Sequence, residues 1–217
     1  MGSSAKWYVY GAGGLGLETM DILVSHIRDK DLAYHPCFVV DEPSSEELNG
    51  FPVFSIKSAE IGSRITIAVG EPKLRVELAK KCKKSGLRLS SVVSDRAFVA
   101  DSAEIGAGTI VAPFCSIQSL AKVGSNVSLN TQSIIGHHVV IGDHSVVSSQ
   151  VNLGGASMVG ESVYIGMGAS LIEKCTVGDW SIVGMGSVVY RDLPSEVIAL
   201  GNPARVSRKN EEKKVFK

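Results

Sequence analysis

An aliphatic residue stands at every sixth position of this chain from Val99 to Val189, without a slip. The series runs Val99, Ile105, Val111, Ile117, Val123, Leu129, Ile135 and Ile141, then Val147, Leu153, Val159, Ile165, Leu171, Val177, Val183 and Val189. Gly follows nine of these sixteen residues, and the position four further on is small or aliphatic, as in Ala103, Thr109, Cys115, Ala121, Val127 and Ser133. A period of six matches neither a helix at 3.6 residues per turn nor a coiled-coil heptad. It suits a coil with flat faces, in which one aliphatic per face points inward and a permissive Gly helps the chain turn. Three faces make an 18-residue triangular unit, so sixteen hexapeptides make slightly more than five coils. At a strand spacing of about 4.8 Å they stack into a prism roughly 24 Å tall. A parallel β-helix is the expectation for this half.

Charge divides the chain in the same place. Residues 99–189 carry only eight charged side chains in 91 positions, against 36 in the other 126. A stretch so poor in charge must hide much of its surface, internally or against other subunits. Basic and acidic residues balance at 22 each, so nothing draws the chain as a whole to nucleic acid or an anionic membrane. No apolar run approaches the roughly 18 residues needed to span a bilayer, and the N-terminus does not read as a secretion signal. Cys37, Cys82, Cys115 and Cys175 lie far apart, without metal-binding spacing. Cys115 and Cys175 fall on inward positions of the repeat and read as core. A cytoplasmic protein with reduced thiols is expected, with no metal, nucleic-acid partner or membrane insertion.

The first half reads as α/β. Lys6 to Tyr10 is strand-like and is followed by Gly11-Ala12-Gly13-Gly14-Leu15-Gly16 and a helix to about Arg28; a second strand, Cys37 to Val40, ends at Asp41. This is G-x-G-x-x-G between strand and helix with an acid about 25 residues on. Arg64 to Val69 is a further strand ending at Gly70, and Pro72 opens a helix with Leu74, Leu78 and Cys82 on one face, Lys80, Lys81, Lys83 and Lys84 as its solvated side, and Gly86 as its stop. Backbone N–H groups at a helix N-terminus suit the diphosphate of a nucleotide conjugate. The expected fold is thus an N-terminal Rossmann-like domain over residues 1–90, followed by an all-β parallel helix with a C-terminal tail over 91–217.

Gly201-Asn202-Pro203-Ala204-Arg205 follows the last repeat. With the repeat itself, this resembles the left-handed β-helix of the hexapeptide-repeat acyltransferases and their C-terminal G-x-P-A-K/R signature. The left hand is implied by the resemblance alone, because crossover statistics favour the right hand. A homotrimer with acyl-CoA between neighbouring prisms is implied too. With the small domain included, nearly the whole chain resembles the PglD/NeuD family of nucleotide-sugar N-acetyltransferases, on Tyr10-Gly11-Ala12-Gly13-Gly14, Ala68-Val69-Gly70, Leu129-Asn130-Thr131 and Gly136-His137.

That resemblance implies transfer of acetyl from the co-substrate acetyl-CoA to the amino group of a nucleotide-linked sugar, a UDP-4-amino-4,6-dideoxy sugar, for a bacterial surface glycan. Implied substrate contacts are Gly13, Gly14 and Leu15 at the phosphates, Asp41 and Glu42 near the nucleoside, and Gly70. Acetyl transfer to an amine needs a base, and histidine exchanges a proton near neutral pH. Of the five histidines, His26 and His35 read as surface residues of the small domain. His137 aligns with the family's basic histidine, and His138 stands where the family carries Glu or Asp. Gly155 and Ala156, one coil on, leave space for a sugar, and Asn130 would orient the amine or a hydroxyl. For acyl-CoA the resemblance implies Met167, Met185 and Arg205. Val146 occupies the position of a family histidine that meets the acyl-CoA, with His144 two residues earlier. Sugar or sialic acid O-acetylation and a non-catalytic nucleotide-sugar-binding scaffold are the competing readings. The glycine loop taken alone adds an NAD-binding protein.

Overall fold

The computed structural model describes residues 5–216. The small domain opens with β1 (Ala5–Tyr10), α1 (Gly14–Asp29) and β2 (Tyr34–Val40), continues through β3 (Glu47–Leu48), β4 (Phe51–Ser55) and β5 (Arg64–Ile67), and ends with α2 (Pro72–Lys84) and β6 (Arg88–Leu89). Its sheet runs β3-β4-β2-β1-β5-β6, all parallel except the β3–β4 pair. Trp7, Tyr8 and Val9 of β1 are fully buried, which is why this central strand is apolar on both faces. The chain leaves β1 toward β2 on one side and β5 toward β6 on the other. The crevice beyond the carboxyl ends of β1 and β5 is therefore the switch point at which such sheets bind ligands.

From Val92 onward the chain winds as a left-handed β-helix of two-residue strands. From Val92–Val93 to Val188–Val189, every strand pairs in parallel with the one 18 residues away, as Ser128–Leu129 does with Ile110–Val111 and with Val146–Val147. Three faces result. The first carries Ile110, Ser128, Val146, Tyr164 and Ile182 outward; the second carries Ser116, Ile134 and Asn152; the third carries Lys122, Val140 and Met158. The repeat aliphatics fill the prism axis from Val111 to Val189, and Cys115 and Cys175 are free thiols buried among them. Val99 and Ile105, in the first coil, are only half buried because nothing stacks beneath them.

The corners correct one expectation. Left-handed backbone recurs every six residues, at Phe114, Leu120, Asn126, Gln132, His138, His144, Gln150, Ala156, Ser162, Gly168, Lys174, Trp180 and Gly186. That is three residues after the inward aliphatic, not at the Gly that follows it. The repeat glycines answer to space instead. A Cβ on Gly106 would sit 2.5 Å from the Gly124 carbonyl carbon, and one on Gly142 2.5 Å from that of Gly160. Where these glycines stand, successive coils approach too closely for a side chain.

The small domain lies on the first face, where Ile110, Ser128 and Val146 are at most 1% exposed although they point outward. Arg75 of α2 locks the contact. Its guanidinium, wholly buried, donates from Nη1 to Ile67 O and Val69 O (both 2.9 Å), from Nε to Asn126 O (2.8 Å) and from Nη2 to Asn126 Oδ1 (2.8 Å). Desolvation pulls it down to about 9, so it remains charged at neutral pH on four oxygen acceptors. His26, expected on the surface, is buried as well. It packs edge-on against Trp7, with Nδ1 3.1 Å from Val93 O, and so ties α1 to the first solenoid strand. In the tail, Arg205–Lys209 forms a strand antiparallel to Val197–Leu200, extending the first face. Residues beyond it then cross back to α2.

Candidate active site

Gly13 precedes the 16-residue α1 as its N-cap and supplies no side-chain cap. The first helical bond is Leu17 N–H to Gly13 O, 3.0 Å, so the N–H groups of Gly14, Leu15 and Gly16 have no acceptor within the helix. A Cβ on Gly13 or Gly14 would meet nothing within 4 Å, which leaves the approach open. An open helix N-terminus of this kind suits an anion. Gly16 is different: a Cβ there would run into the Gly11 carbonyl. Beside the loop, a cavity of about 200 Å³ is lined by Ala12, Val40, Glu42, Ser44, Glu47 and Leu48, among others. Asp41 borders the same strand end but is already engaged. Lys81, expected as a solvated residue, and the Tyr10 hydroxyl both bond its Oδ1, and together they hold the carboxyl below its usual range.

The histidines occupy edges of the prism. His137 and His138 sit where the second and third faces meet, both exposed, with their Nδ1 atoms 3.1 Å apart and rings edge to face. One Nδ1 must donate to the other, so the pair shares one proton along this line. The His137 ring lies directly over Gly155: a Cβ there would be 2.5 Å from His137 Nε2. The small residue one coil on thus seats the histidine rather than leaving room for a sugar. Gly155 has ordinary backbone, so Gly155→Ala displaces the ring without straining the coil. Its expected result is a fall of about 100-fold in kcat, since angstrom-scale misplacement costs that much. A thermal melt beside the kinetics checks that the fold is retained.

His144 lies on the edge between the third and first faces, at the domain junction. Its Nδ1 is 3.0 Å from Asn126 Nδ2, whose orientation is set because Oδ1 accepts from Arg75. His144 Nδ1 therefore accepts and Nε2 carries the proton. Burial, ahead of the opposing pull of Asp143 and Glu161, holds its pKa below the usual histidine value. Those two acids are neighbours of His144, and Asp143 Oδ1 accepts from Ser125 N–H. Asn130, Met167 and Met185 follow strands of the first face, on its edge with the second. Asn130 Oδ1 accepts from Ser128 Oγ at 2.9 Å, whereas Met167 and Met185 are 50% and 75% exposed. Val146 is buried at 1% and presents no surface to a ligand in this chain. Arg205 is exposed at the start of the tail strand. Among the described residues no group of three or more His, Cys, Asp or Glu could hold a metal. No described helix is long and apolar enough to cross a membrane.

The expected residues therefore do not form one cluster. The glycine loop, Asp41, Glu42 and Gly70 belong to the domain on the first face. His137 and His138 lie on the edge opposite that face, and the exposed second face separates them from Met167 and Met185. Arg75 and Asn126 went unread in the sequence, because a lone Arg in a Lys-rich helix gives no sign of a partner 51 residues away.

Comparison with known proteins finds relatives for both halves. Residues 6–82 match the PglD N-terminal domain, and residues 156–191 match the bacterial transferase hexapeptide repeats. Both halves of the chain are thus similar to those of hexapeptide-repeat acyltransferases with a PglD-type N-terminal domain. PerB from Caulobacter crescentus, solved with CoA and GDP-perosamine, superposes with a TM-score of 0.84 at 26% identity, covering 94% of this chain and 98% of that one. The acetyltransferase domain of PglB from Neisseria gonorrhoeae, solved with acetyl coenzyme A, gives 0.86 at 28% identity, covering 94% and 100%. GDP-perosamine N-acetyltransferase of Escherichia coli O157:H7 is 27% identical over 130 residues, 58% of this chain. That match spans 59% of the relative's length.

Proposed function

We propose that this hexapeptide-repeat protein transfers acetyl from acetyl-CoA to the amino group of a nucleotide-linked 4-amino-4,6-dideoxy sugar, in the cytoplasm, toward a surface glycan. The observation that carries the reading is the pairing of an open phosphate-binding helix N-terminus with an exposed histidine seated on a glycine. The nucleotide is held at Gly13, Gly14 and Leu15, with the nucleoside toward Asp41 and Glu42. His137 Nδ1–H donates to His138 Nδ1, which leaves the His137 Nε2 lone pair free as base. The neutral amine attacks the thioester carbonyl as Nε2 takes its proton. The C–N bond forms, the C–S bond breaks, and the proton passes to the departing sulfur to give free CoA thiol. Met167, Met185 and Arg205 are the proposed CoA contacts, with Asn130 orienting the acceptor and His144 offering an Nε2–H donor.

His138 gives His137 a neutral acceptor in place of a carboxylate. Glu at position 138 would favour the protonated form of His137. The acid limb of the kcat/KM–pH profile of His138→Glu is therefore expected at higher pH than in the wild type; an unmoved limb would separate His138 from the base.

Within one chain the nucleotide domain and His137 lie on opposite sides of the prism. A second copy must supply one of them, and a homotrimer meets this need through the charge-poor second and third faces, where Ile134, Val140 and Met158 are exposed. The resemblance favours UDP as the nucleotide, while the GDP-perosamine relatives favour GDP. Thiol release from acetyl-CoA, measured with UDP- and GDP-linked 4-amino sugars, tests the reaction and chooses the base. No release with either would defeat the reading and leave a binding scaffold.

A further inference from the structure

The C-terminal segment returns to the nucleotide domain, and its contacts are specific. Asn210 Nδ2 donates to Trp180 O at 2.7 Å, and Lys213 pairs with Glu196 (2.7 Å) while lying over the Trp180 ring. The chain then reaches the first turn of α2. Lys73 Nζ donates to Glu212 O (3.3 Å), and a single oxygen of Glu71, Oε2, accepts from the N–H groups of both Val215 (2.9 Å) and Phe216 (3.1 Å). These bonds set the Phe216 ring edge-on against Tyr164 of the first face, with centroids 5.6 Å apart. The ring also lies on Gly70, where a Cβ would be 3.6 Å from it. Phe216 nevertheless stays half exposed.

Gly70 ends the segment after β5, on the far side of the switch point from the cavity at Glu42. With the nucleoside beside β2 and the diphosphate at the helix N-terminus after β1, the β5 side receives whatever lies beyond the diphosphate. Phe216 covers the α-carbon of Gly70 but takes up none of its hydrogen-bonding capacity: among the described residues, no partner engages the Gly70 N–H. The ring thus borders this place rather than plugging it. We propose that Phe216, held by Glu71 and backed by Tyr164, is the apolar wall of the hexose subsite and a determinant of sugar specificity. This inference rests on the nucleotide-sugar reading above. An aromatic ring suits the C–H face and C6 methyl of a dideoxy sugar.

The test is calorimetry with UDP, GDP and their 4-amino-4,6-dideoxyhexose conjugates, together with initial rates. Phe216→Ala is expected to weaken binding of the preferred conjugate, and raise its KM, about 10-fold. Affinity for the bare diphosphate and KM for acetyl-CoA stay unchanged, and Phe216→Tyr restores wild-type values. Glu71→Ala, which frees the tail, is expected to reproduce the loss, with Glu71→Gln as its rescue. Equal weakening of diphosphate and conjugate, tighter conjugate binding, or no change would overturn the wall while leaving the acetyltransferase reading intact. A wild type that neither binds a conjugate nor releases thiol would overturn both.

Discussion

His137→Ala is expected to lower the rate of thiol release from acetyl-CoA by on the order of 10²–10⁴-fold, the usual worth of a positioned general base. The effect should fall on kcat, because the ring stands on the exposed edge of the prism, away from the glycine loop proposed to hold the nucleotide. Retained calorimetric binding of the nucleotide conjugate in the same variant would separate lost chemistry from lost substrate. An intact rate would remove His137 from the mechanism and turn attention to His138 and His144, the other histidines of the solenoid. Since the ring is exposed and packs on His138 and the bare backbone of Gly155, its removal opens no cavity in the core, and the melting temperature should hold.

Two inactive proteins mixed together should regain activity. Gly14→Asp places a carboxylate at the open N-terminus of α1, where nothing lies within 4 Å of a new Cβ, so the fold survives and an anionic diphosphate is repelled. His137→Ala leaves that loop intact. If each site takes its histidine from one copy and its loop from another, co-refolding equal amounts gives about a quarter of sites with both intact parts in a symmetric oligomer. Neither parent alone shows any such activity. A mixture as silent as its parents would place both parts in one chain and defeat the shared site. The readout is again thiol release, with the proportion of the two chains varied.

The prism is plain in the sequence because the coil repeats one physical demand, an inward aliphatic every six residues, sixteen times over. The small domain is nearly as plain, since its glycine loop sits between an apolar strand and an amphipathic helix. The role of the repeat glycines is not. Periodicity shows where a Gly stands, but only the stacked backbone shows that missing space, and not left-handed φ, requires it. His26 and Arg75 escape for a related reason. Each is polar on a helix, and each is buried by a partner in the other domain, Val93 for His26 and Asn126 for Arg75. The histidine pair is legible as residues but not as geometry, because the seat on Gly155 spans a full coil.

A stack of identical coils has no natural length. Each turn pairs only with the turns above and below, so nothing in the repeat itself counts them. The returning tail does. It leaves the last coil at Trp180 and must still reach Glu71, and every additional turn would carry Trp180 about 4.8 Å farther away. The C-terminal segment is therefore a ruler: it measures the solenoid against the nucleotide domain, and a chain with one coil too many would fall short of its own first half.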